Sequence, residues 1–432
     1  MNVFKFSFKT FKRTRKESIS YSLVLLFSIL VSFLFIDIGN NYDLIGNDRA
    51  VGGGIWEEFS VPLSLTLPFI VVIICWLMMI YASMYYFNKK TNEISMILIS
   101  GGSVMEVVKY MLYQICFNLI YIIPIAFLLG TVLLKYIYIL MYNYLNIPQS
   151  MIHIDFSSYI MTLYSLIPII ACVVVALIGF CLYKHTIQEL ICRSNQNIVR
   201  ERKHKIRFHI FFIILYFFGL LMIVIQEHSV GAYIVPCIVG VISMIGIIRK
   251  IIPSLTSKLN TKVSTFVIAF ANYSNSIQES ILPILLLLTL VSVLVPIFIS
   301  QNKISNEYAT CFLSYIMIII LLCMSIIFEF LNNIINRKEE FKSLNRIGYI
   351  SLLIKKMILQ EMVLFYTTIL ILPFVYILAI GLKFILNGDI TFLEFLFLNL
   401  VHIFSLFFSF LITHYFYKKI ILNYIGGNNN GN

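Results

Sequence analysis

Lys90-Thr-Asn-Glu-Ile-Ser-Met-Ile-Leu-Ile-Ser-Gly101 and Arg337-Lys-Glu-Glu-Phe-Lys-Ser-Leu-Asn-Arg-Ile-Gly348 are two copies of one pattern, 247 residues apart. Each opens on a cation, Lys90 or Arg337, with a carboxylate three residues on, Glu93 or Glu340. An apolar side chain follows at once (Ile94, Phe341), another comes three residues later (Ile97, Leu344), and a glycine closes the run (Gly101, Gly348). Apolar positions one turn apart predict one face of a helix. Glycine predicts its end, because it accepts the left-handed backbone that closes a helix. Ser103-x-x-Glu106 is a capping box that restarts a helix at once. No such box follows Gly348, so the second restart is less well specified. Each copy therefore predicts a short helix-turn-helix elbow. An elbow of this kind is either a well-made connector or a stiff surface for docking a soluble partner. Recurrence of a charge, a carboxylate and a glycine at fixed spacing favours docking.

Outward from both copies the chain turns apolar. Of its 432 residues 60% are hydrophobic and 12% charged, against about 25% charged in soluble domains. One water-soluble core is excluded, and 37 Phe with 26 Tyr exclude disorder. Runs of roughly 20 apolar residues predict ten transmembrane helices, at about 18–38, 61–87, 111–134, 158–183, 209–226, 231–248, 280–300, 309–332, 358–382 and 392–416. The fifth and sixth form a hairpin about Gln226–Ser229. With both termini in the cytoplasm, 28 Lys and Arg fall inside and four outside (Arg49, Lys135, Lys303, Lys383). Basic bias in loops sets membrane topology, so the net charge of +12 reads as a cytoplasmic rim and predicts no nucleic-acid partner.

A second match lies before the first and seventh spans. Phe4, Phe8, Phe11, Glu17, Ser18 and Ile19 recur as Phe266, Phe270, Tyr273, Glu279, Ser280 and Ile281, all at an offset of 262. The aromatics fall on one helical face, with Lys5, Lys9 and Lys12 beside it. Such a helix is suited to the inner membrane interface, rings toward the acyl chains and ammonium groups toward phosphate. The expected organisation is an all-α polytopic protein of two parallel four-span repeats, 1–185 and 262–420. A basic linker with spans five and six, 186–261, joins them, and a polar tail, 421–432, is expected to be disordered.

At these residues the chain resembles the FtsX-like permease domain of ABC transporters. That family carries a basic flank before its first span. After the second span come a basic stretch, a Glu followed by apolar residues, and a Gly closing the coupling helix. Here those elements are Lys90, Glu93, Ile94, Ile97 and Gly101, then Arg337, Glu340, Phe341, Leu344 and Gly348. A carboxylate further along in the family matches Glu361, where the first copy has Gln114. Two copies and ten spans look most like the Bce-type permeases of Gram-positive bacteria, which handle peptide antibiotics and often signal to a membrane histidine kinase. Those proteins carry a large extracellular domain between spans seven and eight, where this chain has only about eight residues, Gln301 to Tyr308.

The resemblance implies a multi-pass cell-membrane permease without its own ATPase site. A separate cytoplasmic ABC ATPase dimer would hold ATP and Mg, one elbow on each subunit, and the cargo would be an amphiphilic peptide or lipid. No G-x-x-x-x-G-K-[ST] phosphate loop occurs in the chain. A rival reading keeps the elbows but moves no cargo, signalling instead to a kinase or hydrolase.

Other chemistry is sparse. The seven His make no H-E-x-x-H and none pairs with Cys at metal-ligand spacing. The eight Cys, mostly in apolar runs, contain no C-x-x-C. His402, near Asn399 and Ser405, reads as a hydrogen-bonded packing residue. Gly52–Gly54 reads as a flexible turn, and Trp56 and Phe59 as interfacial anchors. The Arg193–Arg207 run reads as a contact with anionic lipid. Asp37, Glu329 and Glu361 fall near span ends, which argues against an ion-driven carrier. A membrane enzyme is disfavoured for want of grouped nucleophile, base or metal ligands.

Overall fold

A computed structural model describes residues 3–13, 15–41, 63–145, 154–183, 207–225, 230–259, 265–279, 306–388 and 390–426. Every regular element among them is helical. Eight of these helices are long and apolar enough to cross a membrane, and Ile210–Ile225 is a shorter apolar helix. This is the architecture of a multi-pass all-α membrane protein, in which each backbone group finds its partner inside its own helix. The seventh expected span (280–300), residues 42–62 with Gly52–Gly54, Trp56 and Phe59, the hairpin turn 226–229, the Arg193–Arg207 run up to residue 206 and the tail from 427 lie outside the described residues. The chain divides into two compact units, Met1–Glu201 with Lys303–Thr310, and Arg202–Asn302 with Cys311–Asn432.

The first unit contains α1 (Val3–Arg13), α2 (Arg15–Asn40), α3 (Leu63–Lys89), α4 (Thr91–Ile99), α5 (Val104–Leu145) and α6 (Phe156–Tyr183). Helices α2 and α3 are joined by Tyr21, which stacks on Tyr86 at 4.5 Å and shares a 3.0 Å hydrogen bond with Ser83. Phe33 of α2 seats against Gly130 of α5, where an added Cβ would fall 2.7 Å from the ring. At the ends of these helices remote from the elbow, Asp37 is buried and accepts a 2.6 Å hydrogen bond from Tyr138. Asn41 donates to Tyr142 there and Asn40 to Ser158. The short amphipathic α1 lies along α5, with Phe4, Phe8 and Phe11 each in ring contact with Phe117. Lys5, Lys9, Lys12 and Arg13 stay exposed.

The second unit contains α7 (Arg207–Ile225), α8 (Val230–Gly246), a π-turn at Ile247–Ile251, α9 (Ile252–Leu259), α10 (Thr265–Glu279), α11 (Asn306–Arg346, its first residues in the other unit), α12 (Ser351–Asn387) and α13 (Phe392–Gly426). The π-turn ends two residues before Pro253, whose missing N–H cannot continue the α-helical ladder. The α7–α8 pair is fastened to α12. Tyr376 enters between Gly219 and Gly240, and a Cβ on either would lie 2.3–2.4 Å from it. Its hydroxyl donates to the Tyr216 carbonyl, while Tyr216 donates to the Leu372 carbonyl, both at 2.8 Å. Lys383 caps the end of α7, donating to the carbonyls of Ile223 and Val224. Tyr366 ties α12 to α13 through Ser409 and Thr413.

His402 departs from expectation. It is buried on α13, and neither ring nitrogen has a hydrogen-bond partner among the described residues. Neither of the two neighbours bonds to it, and the Asn399 Oδ1 is itself buried without a partner among the described residues. The Asn399 amide donates to the Phe395 carbonyl at 2.8 Å, and the Ser405 carbonyl takes the Cys323 thiol.

Candidate functional site: two capped elbows

Both elbows close by the same backbone device. In the first, Gly101 N–H donates to Leu98 O and Gly102 N–H to Ile97 O. In the second, Gly348 N–H donates to Asn345 O and Tyr349 N–H to Leu344 O. This pair of bonds is the Schellman motif, which needs a left-handed residue just past the helix. Gly101 has φ +82° and Gly348 φ +108°. The restarts differ as the sequence predicts. Ser103 Oγ accepts from Glu106 N–H and the Glu106 carboxylate from Ser103 N–H, a reciprocal box at 3.2–3.3 Å. Ile350, ahead of α12, is extended and makes no side-chain cap.

The pattern residues build these elbows from within. Lys90 is 3% exposed and pairs with Glu93 at 2.8 Å. Glu93 also accepts a short hydrogen bond from Tyr110 of α5. Ile94 and Ile97 are buried, as is Phe341, while Leu344 is half-buried. They are therefore not themselves the exposed docking face that their amphipathic spacing suggested, because α5 lies over the apolar side of α4. The outward surface belongs to other residues: Met96 (62% exposed), Ile99 and Met105 on the first elbow, and Ile347 (77% exposed), Ile350 and Leu352 on the second. Beside the second tip, Ile268 and Asn272 of α10 with Glu340, Phe341, Leu344 and Ile347 of α11 line a cavity of about 260 Å³.

Behind the second elbow stands a buried ionic cluster. Arg337 donates to Glu361 of α12 at 2.5 Å, to Ser276 of α10 at 3.2 Å and to Tyr417 of α13 at 3.5 Å. Glu340 lies 3.4 Å away on the partly exposed side. Glu361 is fully buried and also accepts from Ser276 (2.9 Å) and Tyr417 (3.1 Å). Burial works against the Arg337 charge, but the adjacent Glu361 carboxylate outweighs it and holds the guanidinium pKa above its ordinary value. In the first unit the matching position is Gln114, whose amide donates to the Ser7 carbonyl (2.9 Å) and hydroxyl (3.2 Å).

The two sequence offsets also recur in these contacts. Phe11 meets Tyr121 across α1 and α5, and Tyr273 bonds Thr368 across α10 and α12, at offsets of 262 and 247. Ser276 and Tyr417 were not singled out from sequence. Tyr417 lies 80 residues from Arg337 and carries no local signal. Among the described residues no group of His, Cys, Asp and Glu could hold a metal ion.

Compared with known protein families and with curated proteins, the chain matches none.

Proposed function

We propose that this chain is the permease subunit of an ABC transporter, with ten transmembrane helices in two FtsX-like halves and both termini in the cytoplasm of a Gram-positive cell. What carries the reading is the duplicated elbow. Two helix turns are closed by the same backbone motif and braced by a buried cation–carboxylate pair, and each presents exposed apolar side chains at its tip. A separate ATPase dimer would bind ATP and Mg and seat one elbow on each subunit. Met96, Ile99 and Met105 would meet one subunit, and Ile347, Ile350 and Leu352 the other. Closing the dimer draws the two tips together. A displacement of either tip is passed on through the helices bonded behind it, α5 for the first elbow and α10, α12 and α13 for the second.

The cargo proposed is an amphiphile, such as an antimicrobial peptide or lipid, entering from the bilayer and moved outward. Its support is the apolar character of the candidate spans, whose buried carboxylates Asp37, Glu329 and Glu361 fall near the ends of the spans expected from sequence.

The test is charge placed on the tips. Met96→Glu with Ile99→Glu, and Ile347→Glu with Ile350→Glu, change exposed side chains and should leave the purified chain as stable as the parent, within about 0.5 kcal/mol. Each pair should abolish co-purification with the partner ATPase that the parent chain retains, and the stimulated ATP hydrolysis of that complex. Retention of a fully active complex by both variants would sink the proposal.

A further inference from the structure

We infer that α1 is a binding site for anionic phospholipid, its exposed rings seated among acyl chains and its four cations on lipid phosphate, and that the matching helix of the second half, α10, has no such preference. The inference rests on the chain spanning a membrane and not on the permease reading.

One side of α1 is fixed to the protein. Ser7 is buried and donates to the Tyr110 carbonyl at 3.3 Å, while the Gln114 amide donates to the Ser7 carbonyl at 2.9 Å. Phe6 meets Tyr110 and Phe11 meets Tyr121, so the helix is held along residues 110–121 of α5. The apolar run of α5 begins there, at about residue 111. Helix α1 therefore lies at the level where headgroups meet acyl chains.

The other side is open and carries two stripes. Phe4 and Phe8 are exposed, as are Lys5 and Lys9, each the next residue in the chain, with Lys12 one turn further on. Consecutive residues on a helix point about 100° apart, so the ammonium groups flank the rings and do not cover them. Phe4 and Phe8 both touch Phe117, and beyond it α5 exposes Ile120, Leu128 and Val132. The rings thus continue an apolar surface that a spanning helix turns to lipid. A bilayer covers the whole of that surface, whereas a soluble protein reaches only its end.

Charge selects the lipid. Val3–Arg13 holds Lys5, Lys9, Lys12 and Arg13 and no acidic residue. All four are exposed, and none joins an ion pair among the described residues. An anionic leaflet attracts each Lys or Arg held near its surface. The second half has the rings without the cations. Phe266, Phe270 and Tyr273 of α10 repeat Phe4, Phe8 and Phe11, and Phe266 is exposed, yet Thr265–Glu279 contains no Lys or Arg. With no basic residue, only apolar burial is left to hold such a helix to lipid.

Amide hydrogen exchange on the full chain, in nanodiscs of phosphatidylcholine with or without phosphatidylglycerol, tests this. A helix as short as α1 has little stability of its own, so its exchange reports what it rests on. Residues 3–13 should exchange roughly tenfold more slowly when phosphatidylglycerol is present, and residues 265–279 should exchange alike in both lipids. About 1 M NaCl, which shortens the Debye length to about 3 Å, should remove most of the difference at 3–13. Lys5→Gln, Lys9→Gln, Lys12→Gln and Arg13→Gln combined alter exposed side chains only and should abolish it. Inorganic phosphate added to the phosphatidylcholine discs should give no protection, which separates a lipid headgroup from the free anion. Equal exchange of 3–13 in the two lipids, an equal lipid effect at 265–279, protection by phosphate alone, or a lipid effect kept by the charge-free variant overturns the inference. No ATPase is present, so a failure here would leave the permease reading standing, and the reverse also holds.

Discussion

Breaking the Arg337–Glu361 pair one side at a time should cost far more than removing it whole. Glu361→Gln leaves a guanidinium that is 9% exposed with Ser276 at 3.2 Å, Tyr417 at 3.5 Å and the more exposed Glu340 at 3.4 Å. Stranding one partner of a buried pair costs about 3–5 kcal/mol. Glu340 can take up part of the charge, which sets this case near the lower end, about 3 kcal/mol. Arg337→Met strands Glu361, which is fully buried and keeps only the Ser276 and Tyr417 hydroxyls as described donors. That places it near the upper end, about 5 kcal/mol. The combined Arg337→Met and Glu361→Leu variant leaves no ion in the core, and such replacements are often neutral, within about 1 kcal/mol. Equilibrium unfolding of the four proteins in one detergent gives the cycle. The expected coupling is several kcal/mol, well beyond the roughly 0.5 kcal/mol within which independent sites add. Additive single effects, or two singles each below about 1 kcal/mol, would refute the cluster as a buried ion pair.

Two further outcomes follow from packing. Gly240→Ala places a Cβ 2.4 Å from the Tyr376 ring and should destabilise the second unit by about 1–3 kcal/mol, read as a lower thermal midpoint. Gly240→Ala with Tyr376→Leu should recover much of that loss. Ile94→Ala empties a buried position on α4 and should cost about 2–5 kcal/mol, while Met96→Ala, two residues away and mostly exposed, should stay within about 0.5 kcal/mol.

The elbows were legible in the sequence because they are specified locally. A left-handed glycine and a capping box act within four residues of themselves, so Gly101, Gly348 and the Ser103–Glu106 pair declare their geometry without any tertiary information. The apolar spacing of Ile94 and Ile97 was equally visible, but not what it faced. Periodicity marks a face for burial and does not say whether the chain's own α5 or another protein will cover it. Here α5 does, and the outward surface passes to Met96 and Ile99, whose exposure only the fold reveals. The Arg337 cluster was half legible. Glu361 stood out as the carboxylate thirteen residues beyond Gly348, with Gln114 at the matching place in the first copy, whereas Ser276 and Tyr417 join Arg337 through contacts spanning 61 and 80 residues. The fastening of α7 and α8 to α12 was hidden for the same reason, since Gly219, Gly240 and Tyr376 have no meaning until three helices meet.

The Schellman closures have an evolutionary consequence. In both elbows the closure rests on amides, carbonyls and one glycine, to which Ser100 adds a bond in the first, and none of Met96, Ile99, Ile347 and Ile350 contributes a hydrogen bond from its side chain. Angle and surface chemistry are thereby separable traits. Residues at 96, 99, 347 and 350 are free to drift toward a new interlocutor while the joint keeps its shape, so a lineage could exchange one motor for another without rebuilding the arm that the motor pulls.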